Sequence, residues 1–172
     1  MEYNKYKCVL VKESSCEYNF LGNNPQEIYN SSKDLYITDL AEEVFYIFCL
    51  DTKNNIIGTH EISHGTLSAS PVHPREVFKR AILNNANCII LVHNHPSGNL
   101  YPSQEDYNLT VKLKECGDLL EIPVIDHVIV GQDDYLSFKE EQYIFWLIDR
   151  CFINYKISID IMSFLYYYIN IR

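Results

Sequence analysis

Between Cys88 and Asp106 the chain reads CIILVHNHPSGNLYPSQED, and this stretch limits the fold more than any other. The five apolar residues Cys88 to Val92 predict a short buried strand, with His93 marking its polar end. Pro96, Gly98 and Pro102 then hold a loop. Ser103 with Asp106 three residues later fits an N-cap pattern, and Tyr107, Thr110, Val111 and Lys114 space as a helix ending at Gly117. A loop of this length can fold the helix start back over the strand end. In an extended segment His93 and His95 project to the same side while Asn94 points away. Two imidazoles and a carboxylate, eleven residues past the second histidine, form the donor set of a catalytic zinc site. Three protein ligands leave one tetrahedral position for a water whose pKa falls to roughly 7.

Each piece also has a plainer use. HxH pairs are common among surface and core histidines that bind nothing. Asp106 fits the third-position acid of a capping box with Ser103, where the positive helix N-terminus favours it, and Glu105 satisfies the same preference. Hydrolysis at such a site also needs a base, and local spacing does not supply one. Glu42 and Glu43, heading an apolar run, are both candidates, and both fit a solvated strand entrance.

The rest of the chain places these residues in an α+β, α/β/α-like domain. Val44 to Leu50 (VFYIFCL) is β-branched and aromatic, Asp51 to Asn55 supplies turn residues, and Ile56 resumes a strand, so the segment predicts a hairpin. Pro74 sits at a helix start, and Val77, Phe78, Ala81 and Ile82 recur on one face to about Asn85. Ile122 to Val130 predicts another buried strand. Lys7 to Lys12 reads as a short strand, and Asn24 to Ser32, with Pro25, as a turn leading into a short helix. Strands interleaved with helices point to a mixed central β-sheet flanked by helices. The expected division is residues 1–42, an N-terminal strand and short helix packing on the domain; 43–138, the domain itself; and 139–172, an aromatic-rich C-terminal extension. In that extension Ile157, Ile159 and Ile161 alternate with Ser158 and Asp160, which favours an added strand.

The 172 residues suit one ordinary domain. The formal charge of -9 opposes the basic surface that nucleic-acid binding usually needs. Six cysteines show no CxxC pair, and Cys49 and Cys88 lie in apolar runs, so reduced thiols in a cytoplasmic protein are expected. The N-terminus has no apolar signal-peptide core, and charges at Asp149, Arg150, Lys156 and Asp160 leave no membrane span in the tail.

GTLSASPVHPREVFKRAIL, ILVHNHPSGNLYPSQEDYNLT and IPVIDHVIVG together resemble the RadC-type JAB domain, a branch of the JAMM (MPN) metallopeptidases. The likeness runs from about Glu43 to Phe138, and HxHP followed after six residues by SxxD is its metal motif. The resemblance implies an MPN/JAB architecture of the cytidine-deaminase-like kind. It also implies that His93, His95 and Asp106 bind Zn2+, that Ser103 helps place the water or stabilise the oxyanion, and that Glu43 rather than Glu42 is the base. His127 falls in a family-typical segment, but its apolar setting favours a hydrogen-bonded core histidine over a fourth ligand. His60, His64 and His73 are also left outside the ligand set. Longer relatives carry an N-terminal helix-hairpin-helix region; about forty residues precede Glu43 here, so a stand-alone JAB domain is expected.

The leading expectation is a zinc-dependent peptidase or isopeptidase acting on a peptide or isopeptide substrate. The alternatives are a non-enzymatic accessory of DNA repair, and an interaction module stabilised by zinc that activates no water.

Overall fold

The computed structural model describes residues 7, 9–15, 22, 24–65 and 72–143. Its first hairpin joins β1, Val44–Leu50, to β2, Ile56–His64. Asp51 sets the turn by accepting hydrogen bonds from the backbone amides of Lys53 and Asn55 at 2.8 and 2.9 Å, while Asn54 takes the left-handed conformation. Asx residues favour such turns because their side chains replace a backbone partner. Helix α2, Pro74–Leu83, starts with Pro at its first turn and leads to β3, Cys88–Asn94. Helix α3, Gln104–Leu120, then returns the chain to β4, Val124–Val130, and the short β5, Tyr135–Ser137.

The sheet order is β2-β1-β3-β4-β5, antiparallel throughout except for the parallel β3–β4 pair. The crossover through α3 is what allows that pair to be parallel. The strict alternation of a strand then splits the sheet's apolar residues between two faces. Phe45, Ile47 and Cys49 of β1 join Ile89 and Leu91 of β3 against Val77, Phe78 and Ala81 of α2 and Leu113 of α3. Phe48 and Leu50 join Ile90, Val92, Val128 and Val130 on the opposite face, against Ile28 and Tyr29 of helix α1, Pro25–Asp34, and Ile37 of the 3-10 turn that follows it. The expected mixed sheet between helices is therefore present, with His93 on the face that α2 and α3 cover.

Two expectations change, and one strand was not expected. Residues 7 and 9–15 form no strand: all are exposed, Val11 to 82 %, so the apolar residues of that segment bury no face. Helix α3 does not stop at Gly117 but runs to Leu120, capped by Glu121 with φ 57. Gly117 serves close packing instead, since a Cβ there would lie 2.6 Å from the Ile122 carbonyl oxygen and 3.3 Å from Phe78. Strand β5 carries no period-2 signal in its three residues and is held by the buried Asp126. That carboxylate accepts from the Ser137 hydroxyl at 2.7 Å and the Lys139 amide at 3.0 Å. The expected strand at Ile157–Ile161 lies outside the described residues. Among the described residues Cys49, Cys88 and Cys116 are free thiols, and burial pushes Cys49 up to about 12. No helix among them is long and apolar enough to cross a membrane.

Candidate metal centre

Strand β3 ends where α3 begins, and that junction gathers the residues that sequence spacing singled out. Pro96 and Gly98 shape the exit from β3: the Gly98 amide donates to the His95 carbonyl at 2.9 Å, and Gly98 has φ +75, which glycine adopts without strain. His95 is thereby turned back toward His93, with the two Nε2 atoms 2.9 Å apart. Asp106 enters from the first turn of α3, placing Oδ1 3.3 Å from His93 Nε2 and Oδ2 3.7 Å from His95 Nε2. Among the described residues this is the one group of His, Cys, Asp or Glu side chains close enough to share a metal ion, with donor atoms all within 4.8 Å. His93 and Asp106 are buried and His95 nearly so.

The capping and ligand readings of Asp106 are compatible, because the carboxylate divides its oxygens. Oδ2 accepts from the Ser103 amide at 2.7 Å and the Ser103 hydroxyl at 2.6 Å, while the Asp106 amide donates to Ser103 Oγ at 3.1 Å. This reciprocal capping box fixes the side chain and leaves Oδ1 directed at His93. Ser103 therefore has its single hydroxyl proton engaged with Asp106 while the residue lines the cleft.

The electrostatics of the cluster favour positive charge among its donors. His95 Nδ1 faces the Asn99 carbonyl oxygen, which can only accept, so Nδ1 carries the proton and Nε2 is the free nitrogen. Burial depresses His93 to about 4, against the raising effect of Asp106. Burial also opposes charge on His95, but Asp106, the Asn99 carbonyl and Glu43 outweigh it and the net shift is upward. Burial alone would raise Asp106, yet His95, His93 and Ser103 hold it well below the usual carboxylate range. Two imidazole lone pairs 2.9 Å apart beside a carboxylate repel unless a proton or a metal ion lies among them. A tetrahedral zinc with bonds of about 2.0–2.1 Å places neighbouring donors about 3.3 Å apart, and His93 Nε2 stands at comparable separations of 2.9 Å from His95 Nε2 and 3.3 Å from Asp106 Oδ1. The residues fit a divalent metal.

An open cleft leads to this cluster, lined among others by Glu42, Glu43, His95, Tyr101, Ser103 and Asp106. Of the two glutamates, Glu42 lies 3.4 Å from His64, whose other nitrogen approaches Glu61. Glu43 precedes β1 directly, and its charge acts on His95. Sequence spacing gave no hint of what fixes this strand entrance, which is Asn94. Its buried side chain accepts from the Val44 amide at 2.8 Å and donates to the Leu40 and Glu42 carbonyls at 3.3 and 3.1 Å. The residue expected to point away from the histidines does so, and in doing so it clamps the backbone on both sides of Glu43.

Behind His93 lies His127, fully buried between Phe45 and Phe138. Its Nε2 is 2.8 Å from His93 Nδ1, and its Nδ1 is 2.6 Å from Thr110 Oγ1. The expectation of a hydrogen-bonded core histidine matches this placement. Burial, then the neighbouring His93, holds it well below its ordinary value. Thr110 was legible only as a helical-face residue; its position four residues after Asp106 is the one signal for the bond it makes to the Asp106 carbonyl at 2.6 Å.

Residues 22–143 match the family model described as RadC-like JAB domain. The chain is 51 % identical over 105 residues to a UPF0758 protein of Staphylococcus haemolyticus, an alignment covering 61 % of this chain and 46 % of that one. A UPF0758 protein of Clostridioides difficile is 50 % identical over 121 residues, covering 70 % and 51 %. One from Methanosarcina barkeri is 44 % identical over 126 residues, covering 70 % and 55 %. The chain thus spans about half the length of these curated relatives. With its matched segment enclosing the whole sheet and the histidine–aspartate junction, the chain belongs to the RadC-like JAB domain family.

Proposed function

We propose that this domain is a zinc-dependent hydrolase of amide bonds, of the peptidase or isopeptidase kind. The observation that supports it best is the convergence of ligand atoms from His93, His95 and Asp106, all within 4.8 Å of one another, beside an open cleft that His95, Asp106 and Glu43 line. Held by those three groups, zinc supplies Lewis acidity, lowering the pKa of water from 15.7 to about 7 and polarising a carbonyl.

The remaining chemistry belongs to side chains of the cleft. Glu43 accepts a proton from the attacking water on a carboxylate oxygen and delivers it to the departing amine nitrogen, as a general base and then a general acid. Asn94 holds the peptides flanking Glu43, so the carboxylate is presented from a fixed backbone. Ser103 contributes to oxyanion stabilisation only by redirecting its hydroxyl proton from Asp106 Oδ2; that carboxylate oxygen keeps the Ser103 amide as a partner when this happens. Removal of one oxyanion donor lowers kcat about 10²- to 10³-fold in well-studied hydrolases.

The test is a matched pair of variants of the zinc-loaded protein, assayed on a mixed library of peptides and lysine-linked isopeptides. Glu43→Gln is expected to keep the metal and lose turnover, whereas His95→Ala loses both. Cleavage undiminished in the Glu43→Gln variant would remove the hydrolytic mechanism and leave the zinc-stabilised interaction module as the better reading.

A further inference from the structure

We propose that His127 and Thr110, neither of them a ligand, are positioning residues that fix the tautomer of His93 and so keep its Nε2 bare for the metal. The inference rests on the metal-site reading above, but its basis is a separate hydrogen-bond chain whose direction is forced at one end. Thr110 Oγ1 lies 2.6 Å from the Asp106 carbonyl oxygen. A carbonyl accepts and cannot donate, and threonine has one hydroxyl proton, so that proton points at Asp106. His127 Nδ1, 2.6 Å from the same hydroxyl oxygen, must then be the donor. A neutral imidazole carries one proton, which leaves His127 Nε2 as an acceptor. His93 Nδ1, 2.8 Å away, therefore donates to it, and His93 Nε2 is left without a proton on the side facing His95 and Asp106.

The reverse polarity fails at a single atom. If His127 Nε2 donated to His93, its Nδ1 would need the Thr110 proton, and the Asp106 carbonyl would face a hydroxyl lone pair at 2.6 Å. His93, His127 and Thr110 are all fully buried, so no water replaces the missing donor. The chain also starts and ends on the two ligand-bearing elements: it leaves His93 on β3, crosses His127 on β4, and closes on the backbone of Asp106 in α3. One hydroxyl thus ties the protonation pattern of one ligand to the helix turn that carries another. Metal-bound histidines elsewhere rely on such outer partners, whose removal weakens metal affinity about 10- to 100-fold.

Thr110→Val keeps the shape of the side chain and removes the hydroxyl; Thr110→Ser restores the hydroxyl with less bulk. His127→Phe keeps a ring between Phe45 and Phe138 while removing the acceptor. Two measurements suffice: zinc affinity by competition with a chromophoric chelator, and ring-nitrogen NMR of ¹⁵N-histidine-labelled, metal-free protein. The wild type is expected to show His127 as a single Nδ1–H tautomer donating to Thr110, and His93 as Nδ1–H. Thr110→Val is expected to lose that single His127 tautomer and to bind zinc about 10- to 100-fold more weakly. His127→Phe should weaken binding similarly, and Thr110→Ser should bind as the wild type does. Wild-type affinity in Thr110→Val, or equal weakening in the Val and Ser variants, would overturn the proposal in favour of simple packing. Absence of zinc binding in the wild type would instead count against the metal centre itself, and the metal-free NMR spectra still decide the polarity of the chain.

Discussion

Asp106 carries two separable jobs, and the two can be measured against each other in one position. Its Oδ2 completes the capping box of α3, while its Oδ1 faces His93. Asp106→Asn keeps an oxygen in the capping place, able to accept from both the Ser103 amide and hydroxyl, and turns an amide donor toward the imidazoles. Asp106→Ala removes both. Loss of the hydrogen bond that Asp106 Oδ2 accepts from the Ser103 amide costs about 1 kcal/mol, within a range of about 0.5–1.5. Both variants lose the carboxylate's interaction with His95, so that contribution cancels between them. In metal-free protein Asp106→Ala should therefore be less stable than Asp106→Asn by about 1 kcal/mol, or about 2–4 °C in Tm for a chain of this size. Neither variant should hold zinc. Chelator-treated samples followed by urea denaturation, with metal content measured in parallel, give both numbers. Equal stability of the two metal-free variants would refute the capping role, and stoichiometric zinc in Asp106→Asn would refute the ligand role.

Further perturbations test other parts of the structure. Asn94→Ala leaves the buried Val44 amide without its acceptor and should lower stability by about 2–3 kcal/mol in urea denaturation; a loss under 0.5 kcal/mol would mean that Asn94 does not clamp the entrance of β1. Gly117→Ala gains about 1 kcal/mol of helix propensity, but its methyl group meets the Ile122 carbonyl at 2.6 Å, and overpacking of this kind costs about 1–3 kcal/mol. A net loss in Tm is expected, and a gain would contradict the close packing. Burial raises Asp126 to about 6, against the lowering effect of the Ser137 hydroxyl and the Lys139 and His127 amides. Because the folded value lies above the usual carboxylate value of about 3.9, the folded state holds this proton more tightly. The resulting stability is complete below about pH 4 and lost as pH rises through 6, by about 2–3 kcal/mol in all. Asp126→Asn should remove that slope from metal-free denaturation curves, and an unchanged slope would place the titration elsewhere.

Much of this domain was legible before any coordinates because its signals are short-range. The VFYIFCL run and the Asp51–Asn55 turn state their own hairpin, and Pro74 marks the start of α2. The ligand cluster was legible because an HxH strand end and an SxxD helix start each have a local pattern, and only the loop between them had to close. Elements fixed by distant partners were not legible. Strand β5 depends on a buried aspartate eleven residues before Ser137, and the capping signal at Gly117 was overridden by packing against Ile122. Asn94 and Thr110 escaped for a similar reason. A buried amide between two histidines looks like a spacer until the strand across from it is known, and a helical threonine acquires its role only when His127 arrives from β4.

The most direct measurement is the metal content of protein purified without chelator and saturated with zinc, beside the His95→Ala and Asp106→Ala variants. The expected result is about one zinc per wild-type chain and none retained by either variant after desalting. A wild-type chain that returns no transition metal, or variants that hold as much as the wild type, would contradict a centre built from His93, His95 and Asp106.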